Sequence, residues 1–255
     1  MVDSQEVNNK TSEEPLDNGR RNFLKLMIVI SAGAAAAGVL KGAIGEIIAP
    51  QIGLTAFPTL QIVDTSGKPI VFDDIPVNTP TTWLFYYPLS NDPNFLIKLG
   101  DINGKPLSVK PSTVTIPADQ TTFVSPGGVG PEGMEAIVSF SAICQHLGCI
   151  PPEIHYYPPG QAIPGTAYGA SDNLYGIIHC SCHGSTYDPY HGAAVLTGPT
   201  SRPLPTTILR YNSDGTISAV SMIGPTIYGK PSDLTGGTPF PAGQVTTVVQ
   251  NTGEA

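Results

Sequence analysis

Cys144-Gln145-His146-Leu147-Gly148-Cys149 and, after thirty further residues, Cys180-Ser181-Cys182-His183-Gly184-Ser185 contain all four cysteines of the chain. The five histidines, His146, His155, His179, His183 and His191, fall in the same window, and the remaining four-fifths of the sequence has neither residue type. A chain that used cysteine for packing would scatter it, so the clustering points to a metal or cofactor. Each stretch offers a Cys–His pair and one additional Cys, and Gly148 and Gly184 permit the backbone bends that aim such ligands. Three readings fit in part or in full. A structural zinc site takes Cys2His2 but leaves two cysteines without a role. A disulfide framework of four cysteines suits an extracellular protein but leaves the histidines unexplained. A two-iron cluster, with two thiolates on one iron and two imidazoles on the other, accounts for every residue and leaves one cysteine per stretch.

On either side of these stretches, from Phe57 onward, the sequence breaks into short runs rich in Val, Ile, Thr, Tyr and Phe, separated by Gly, Pro, Asn and Asp. Such runs read as strands, here at 57–63, 69–72, 81–87, 95–99, 105–110, 113–116, 134–141, 174–180, 206–211 and 216–222. Asn103-Gly104 and Asp214-Gly215 are hairpin signals. No helical period is sustained over three turns and no internal repeat is present. The expected fold is all-β, with small antiparallel sheets. The Pro- and Gly-rich residues 151–172 read as a long loop, a feature uncommon in compact domains unless functional or disordered. The Gly-, Pro- and Thr-rich segment 224–255 reads as a wrapping or mobile extension.

The N-terminus has a different character. Residues 1–19 are polar and read as a disordered tail. Arg20-Arg21-Asn22-Phe23-Leu24-Lys25 precedes an apolar run from Leu26 to Leu40, broken by Lys41 and resumed to Ala49. The pattern resembles a twin-arginine export signal, a route that carries folded, cofactor-loaded proteins. The fifteen residues to Leu40 give about 22 Å of helix, short for a bilayer, whereas extension to Ala49 gives about 36 Å. Lys41 would then snorkel to the outer interface. Small-residue cleavage sites such as Ala32-Gly33-Ala34 lie inside the apolar run, which favours a retained anchor. The expected organisation is a cytoplasmic tail with signal at 1–25, a transmembrane helix at 26–49 and a hinge at 50–56. A domain at 57–223 follows, with a cluster-binding part near 140–205, and then the extension at 224–255. The N-terminus would be cytoplasmic and the head outside the cell membrane.

Charge is sparse: 13% of residues, with a formal net charge of −8. After Pro50 seven Lys/Arg face fourteen Asp/Glu, so nothing basic remains to grip nucleic acid. Low charge suits either an exported Thr/Ser/Gly/Pro-rich β domain or a surface facing acid, where few carboxylates means little stability lost as they protonate.

The paired stretches resemble the cluster-binding loops of the Rieske family, specifically the high-potential kind of cytochrome bc-type quinol-oxidising complexes. The thirty-residue separation is long for that family and is similar to archaeal members. The resemblance implies a [2Fe–2S] cluster on Cys144, His146, Cys180 and His183, and a disulfide between Cys149 and Cys182. It further implies that the Ser185 hydroxyl donates to a bridging sulfide and the Tyr187 hydroxyl to a ligand sulfur, each raising the potential. The plain readings of those two are a loop serine and a half-buried tyrosine. Gly198-Pro199-Thr200-Ser201-Arg202-Pro203 resembles the family's proline loop, which shields the cluster; an ordinary proline turn is the alternative. Leu147, at a loop tip, would pack against a cytochrome b-like subunit or simply cover the cluster. His155, His179 and His191 are expected not to be ligands.

The function so implied is electron transfer from quinol, with one proton taken by His183, to a downstream cytochrome or oxidase. The chain would be a redox subunit of a respiratory membrane complex and not a complete enzyme by itself. The alternatives are the Rieske small subunit of an arsenite-oxidase-like molybdenum enzyme, or a redox-silent zinc protein.

Overall fold

The computed structural model describes residues 57–228, 238, 240, 241 and 243–251. The tail, anchor and hinge expected at 1–56, and much of the extension expected at 224–255, lie outside the described residues. Among the described residues no helix is long and apolar enough to cross a membrane.

The all-β expectation holds. The strands are β1 (Leu60–Val63), β2 (Thr82–Tyr86), β3 (Pro93–Lys98), β4 (Ser112–Thr115), β5 (Thr122–Ser125), β6 (Ile137–Ser141), β7 (Ile154–Tyr157), β8 (Ile177–Cys180), β9 (Ser185–Asp188), β10 (Ala194–Thr197), β11 (Thr206–Tyr211), β12 (Ile217–Ile223), β13 (Val245–Thr247) and β14 (Val249–Asn251). Two 3-10 turns, Phe72–Asp74 and Pro189–His191, are the helical elements among the described residues. The large sheet runs β13-β1-β12-β11-β6-β3-β2-β14. A second sheet runs β10-β9-β8-β7, and β4 and β5 form a hairpin of their own.

The large sheet closes on itself through its last strands. β13 lies parallel to β1, and β14, one residue further on, lies antiparallel to β2. One segment thus pairs with both edges that would otherwise be open, and closure removes the edge liability of an open sheet. Thr246 reinforces the seam: its hydroxyl donates to the Tyr86 carbonyl (2.8 Å) and accepts the Tyr86 N–H (3.1 Å).

Side chains alternate across a strand, and β2, β3 and β6 bury both faces. Trp83, Phe85, Leu96 and Ile137 join Leu60, Ile62 and Ile217 in one core. Leu84, Phe95, Ile97, Val138 and Phe140 point the other way. They pack with Ile154, Tyr156 and Ile178 of the second sheet, and with Cys144, Cys180 and Tyr187. The sulfur ligands expected from the sequence are therefore part of the core between the two sheets. Even Lys98 is buried on β3, its ammonium over the Phe72 ring and donating to the Phe72 carbonyl at 2.9 Å.

Several local expectations are corrected. The Asp214-Gly215 hairpin forms as read, but Asn103-Gly104 turns without joining two strands. The Asp101 carboxylate accepts the N–H groups of Asn103 and Lys105, and Pro106, which has no N–H, makes a single bridge to Gly100. Residues 69–72 likewise make only single bridges, at Pro69 and Val71, before curling into the 3-10 turn whose Asp74 carboxylate accepts the Val71 N–H. The expected loop 151–172 contains β7. Its remainder is pinned by the Asn173 amide, which donates to the carbonyls of Tyr157, Pro158 and Gln161. The segment read as a wrapping or mobile extension supplies β13 and β14.

Carboxylates organise several exposed turns. Asp64, Asp119 and Asp214 each accept bonds from a Ser or Thr two residues on, and each is held below the usual carboxylate range first by that hydroxyl. Glu135 goes furthest, to about 2, chiefly through the Ser108 hydroxyl and then the Gly133 N–H. A carboxylate depressed on folding stabilises above its unfolded value of 4.5 and loses that contribution as pH falls through about 2. Glu135→Gln is expected to lower stability at pH 6 by about 1 kcal/mol, small because the pair is solvated. The difference should fade between pH 4.5 and 2 in urea unfolding of the two proteins. A difference that grows towards pH 2 would contradict this assignment.

Candidate metal centre

Both cysteine–histidine stretches fold into the same closed turn. The Gly148 N–H donates to the Cys144 carbonyl at 2.9 Å, and the Gly184 N–H donates to the Cys180 carbonyl at 3.0 Å. The two glycines have φ of +84° and +86°, the left-handed region where a side chain is strained. The first turn follows β6 directly, and a Cys144 N–H to Cys149 carbonyl bond (2.8 Å) closes its base. The second connects β8 to β9, whose residues Cys180 and Ser185 pair across the ladder. It is fastened to the start of β7 by the Ser181 N–H on the Glu153 carbonyl at 2.8 Å.

Cys149 and Cys182 form a disulfide that ties one turn to the other. Cys144 and Cys180 remain free thiols, each 1% exposed. The Cys180 sulfur lies within 4.8 Å of both disulfide sulfurs, but bonded sulfurs are not ligands, so these three are not a metal set. The two free thiols interact with each other. That contact pulls the Cys144 thiol well below the ordinary cysteine range and, with burial, pushes Cys180 above it. The His146 and His183 rings meet edge to face with centroids 4.8 Å apart. His146 is half-buried and its Nδ1 is sealed from solvent with no hydrogen-bond partner, while His183 is exposed. A buried ring nitrogen without a partner is costly unless something ligates it.

Residues 106–208 match the model of the Rieske [2Fe-2S] domain. The chain carries a Rieske [2Fe–2S] domain. Over 86 residues, 34% of this chain, it is 31% identical to the cytochrome bc1 complex Rieske iron-sulfur subunit of Streptomyces lividans, of which that stretch is 41%. It is also 31% identical over 81 residues to a protein described as the Rieske subunit of a respiratory nitrate reductase from Haloferax mediterranei, covering 32% of this chain and 28% of that one. The chain thus spans less than half the length of each of these relatives. Among solved structures, it is similar to the soluble domain of Rieske protein II from Sulfolobus acidocaldarius, at 30% identity and a TM-score of 0.45. That match covers 73% of this chain and 87% of the other.

The residues present fit a Rieske cluster. Two free buried thiols, two imidazoles in contact and a ring nitrogen lacking a partner supply a Cys2His2 donor set at one place, Cys144, His146, Cys180 and His183. The neighbouring hydroxyls also fit. Tyr187 is fully buried, and its hydroxyl oxygen accepts the Gln145 N–H at 3.1 Å, which leaves its proton to point at the Cys144 sulfur, 3.3 Å away. Burial first, and then the Cys144 charge, keep that phenol protonated. The Ser185 hydroxyl is buried beside Cys144 yet meets no protein atom in hydrogen-bond geometry. The Gly198–Pro199 loop presses on this strand: a Cβ at Gly198 would stand 2.3 Å from the Ser185 Cα. Leu147 sits at the tip of the first turn, 55% exposed.

The other histidines are elsewhere. His155, expected in a loop, is on β7 directly opposite His179 on β8, and its Nδ1 contacts the Pro152 carbonyl. His191 closes a 3-10 turn against the Asp188 carboxylate at 2.6 Å. Three contributors escaped sequence reasoning. Gln145 offers a backbone N–H that any residue would carry, Thr200 reaches the Tyr187 hydroxyl only through the loop's fold, and Tyr228 packs on Gly148 from 80 residues away.

Proposed function

We propose that this Rieske iron–sulfur electron-transfer subunit takes its electron from quinol within a membrane-anchored respiratory complex. We assign its ligands as Cys144, His146, Cys180 and His183. The carrying observation is the asymmetry of the site: the thiols are buried in the core, while His183, whose ring meets that of His146, is exposed, as are Leu147 and Ile150 of the first turn, 55% and 50% exposed. When bound, the cluster supplies a one-electron centre whose positive irons acidify the imidazoles that hold them. His183 then offers its outer nitrogen to a quinol hydroxyl and takes the proton. Leu147 and Ile150 give an apolar rim on which a quinone ring or a cytochrome b-like subunit would rest. Tyr187 and Ser185 direct hydroxyl protons towards sulfur, which favours the reduced state and the high potential that quinol oxidation needs. The electron would leave to a cytochrome or oxidase, with the head held outside the membrane by residues 26–49.

The test is rapid mixing of the full-length, cluster-loaded protein with a soluble quinol. Reduction that quickens with rising pH, and that slows at least tenfold in Leu147→Ala reconstituted with its membrane partner, is the expected result. A cluster reduced by dithionite but not by quinol would overturn the reading. Co-purification with a molybdopterin subunit would turn it to the arsenite-oxidase-like alternative.

A further inference from the structure

The two ligand turns share one backbone geometry but not one environment. At Gly184 nothing lies within 4 Å of where a Cβ would stand. At Gly148 the same position is filled by the Tyr228 ring, with Cδ1 at 2.8 Å and Cε1 at 2.9 Å. The ring is thus seated on the bare backbone of the first turn, a place open only because residue 148 has no side chain. The segment that delivers it is itself packed. After β12, Gly224 lies against Phe123 and Pro205, with ring atoms at 3.1 and 3.3 Å from a built Cβ, and Ile227 is 3% exposed. Tyr228 lies outside residues 106–208, which match the family, and the mechanism above makes no use of it.

We infer that Tyr228 is a positioning residue: it clamps the His146 turn at Gly148 and closes that flank, leaving the His183 turn as the open side of the cluster. A flat ring against a glycine backbone excludes water from the Gly148 N–H to Cys144 carbonyl bond, and so restrains the residue on which a ligand sulfur is carried. The equivalent bond in the second turn has no such cover. The consequence for electron transfer rests on the ligand assignment proposed above; the clamp itself does not.

The two turns make an internal control. Hydrogen–deuterium exchange on the full-length holoprotein compares the Gly148 and Gly184 amides, which donate equivalent bonds at 2.9 and 3.0 Å. Gly148 is expected to exchange about tenfold more slowly than Gly184, and Tyr228→Ala is expected to abolish the difference. Tyr228→Phe, which keeps the ring, should preserve it. The midpoint potential should move in Tyr228→Ala and stay in place in Tyr228→Phe, because opening the flank lets water solvate the added charge. Unchanged Gly148 exchange in Tyr228→Ala would overturn the clamp. Faster exchange with an unmoved potential would overturn its positioning role and leave only packing. Neither result depends on whether quinol is the donor.

Discussion

Full-length protein with Cys149 and Cys182 both replaced by serine is expected to keep its β fold and lose its cluster on standing. The two turns are each anchored without the disulfide: the first through the Gln145 N–H on Tyr187, the second through Ser181 on Glu153. The sheets behind them are closed by their own ladders. What the disulfide adds is the link between the turns, across a sequence separation of 33 residues. Closing a loop of that length removes about 3–4 kcal/mol of unfolded-chain entropy. In the folded protein it also keeps two ligand pairs, one from each turn, from drifting apart. Circular dichroism should therefore change little, thermal unfolding should come earlier, and the visible absorbance of the cluster should decay at least about tenfold faster than in the wild type. A double variant that holds its cluster as long as the wild type would show that the sheet contacts alone fix the turns.

The second large effect is on potential. In Tyr187→Phe the Cys144 sulfur loses the hydroxyl at 3.3 Å, and in Ser185→Ala the buried hydroxyl beside it disappears. The Tyr187 hydroxyl faces the Cys144 sulfur and, on the ligand assignment proposed above, Ser185 would donate to sulfur as well; an added electron strengthens such bonds. A difference of one factor of ten between the two redox states corresponds to about 60 mV for a one-electron couple. Each variant is expected to lower the midpoint by about that amount, and the pair by about twice it, since the hydroxyls act on separate acceptor directions. Tyr187→Phe also strands the Gln145 N–H, so its stability should fall as well; Ser185→Ala removes a hydroxyl with no protein partner and should cost little stability. Redox titration of the three proteins checks this. An unchanged midpoint in Ser185→Ala would remove that hydroxyl from the account.

The site was more legible than the fold around it. Ligand chemistry is written in residue types: two thiols, two imidazoles and two glycines at matched spacing survive any ignorance of tertiary structure. The strands in the core between the sheets were also visible, because β2, β3 and β6 bury both faces and read as apolar runs. What escaped depended on distant partners. β9 and β10 are four residues each, and they exist because β8 offers an edge to β9 and β9 in turn offers one to β10. β13 and β14 are three residues each, and become strands only because the sheet has two open edges for one segment to pair with. The expected strand at 105–110 has the composition of a strand, but Lys105 is held in the Asp101 turn, Pro106 has no N–H, and the bonds of Leu107 and Val109 go to separate partners, Leu99, Glu135 and Gly128, so no continuous ladder forms. Tyr228 carries no motif at all; its role is visible only in the space left by Gly148.

The most direct test of the ligand assignment is electron paramagnetic resonance of the full-length protein after mild reduction with ascorbate. If Cys144, His146, Cys180 and His183 hold a two-iron cluster, the spectrum will be a rhombic spin-half signal with an average g below the free-electron value, with nitrogen couplings that vanish in His146 and His183 variants. A silent spectrum from protein carrying stoichiometric zinc would contradict the assignment outright.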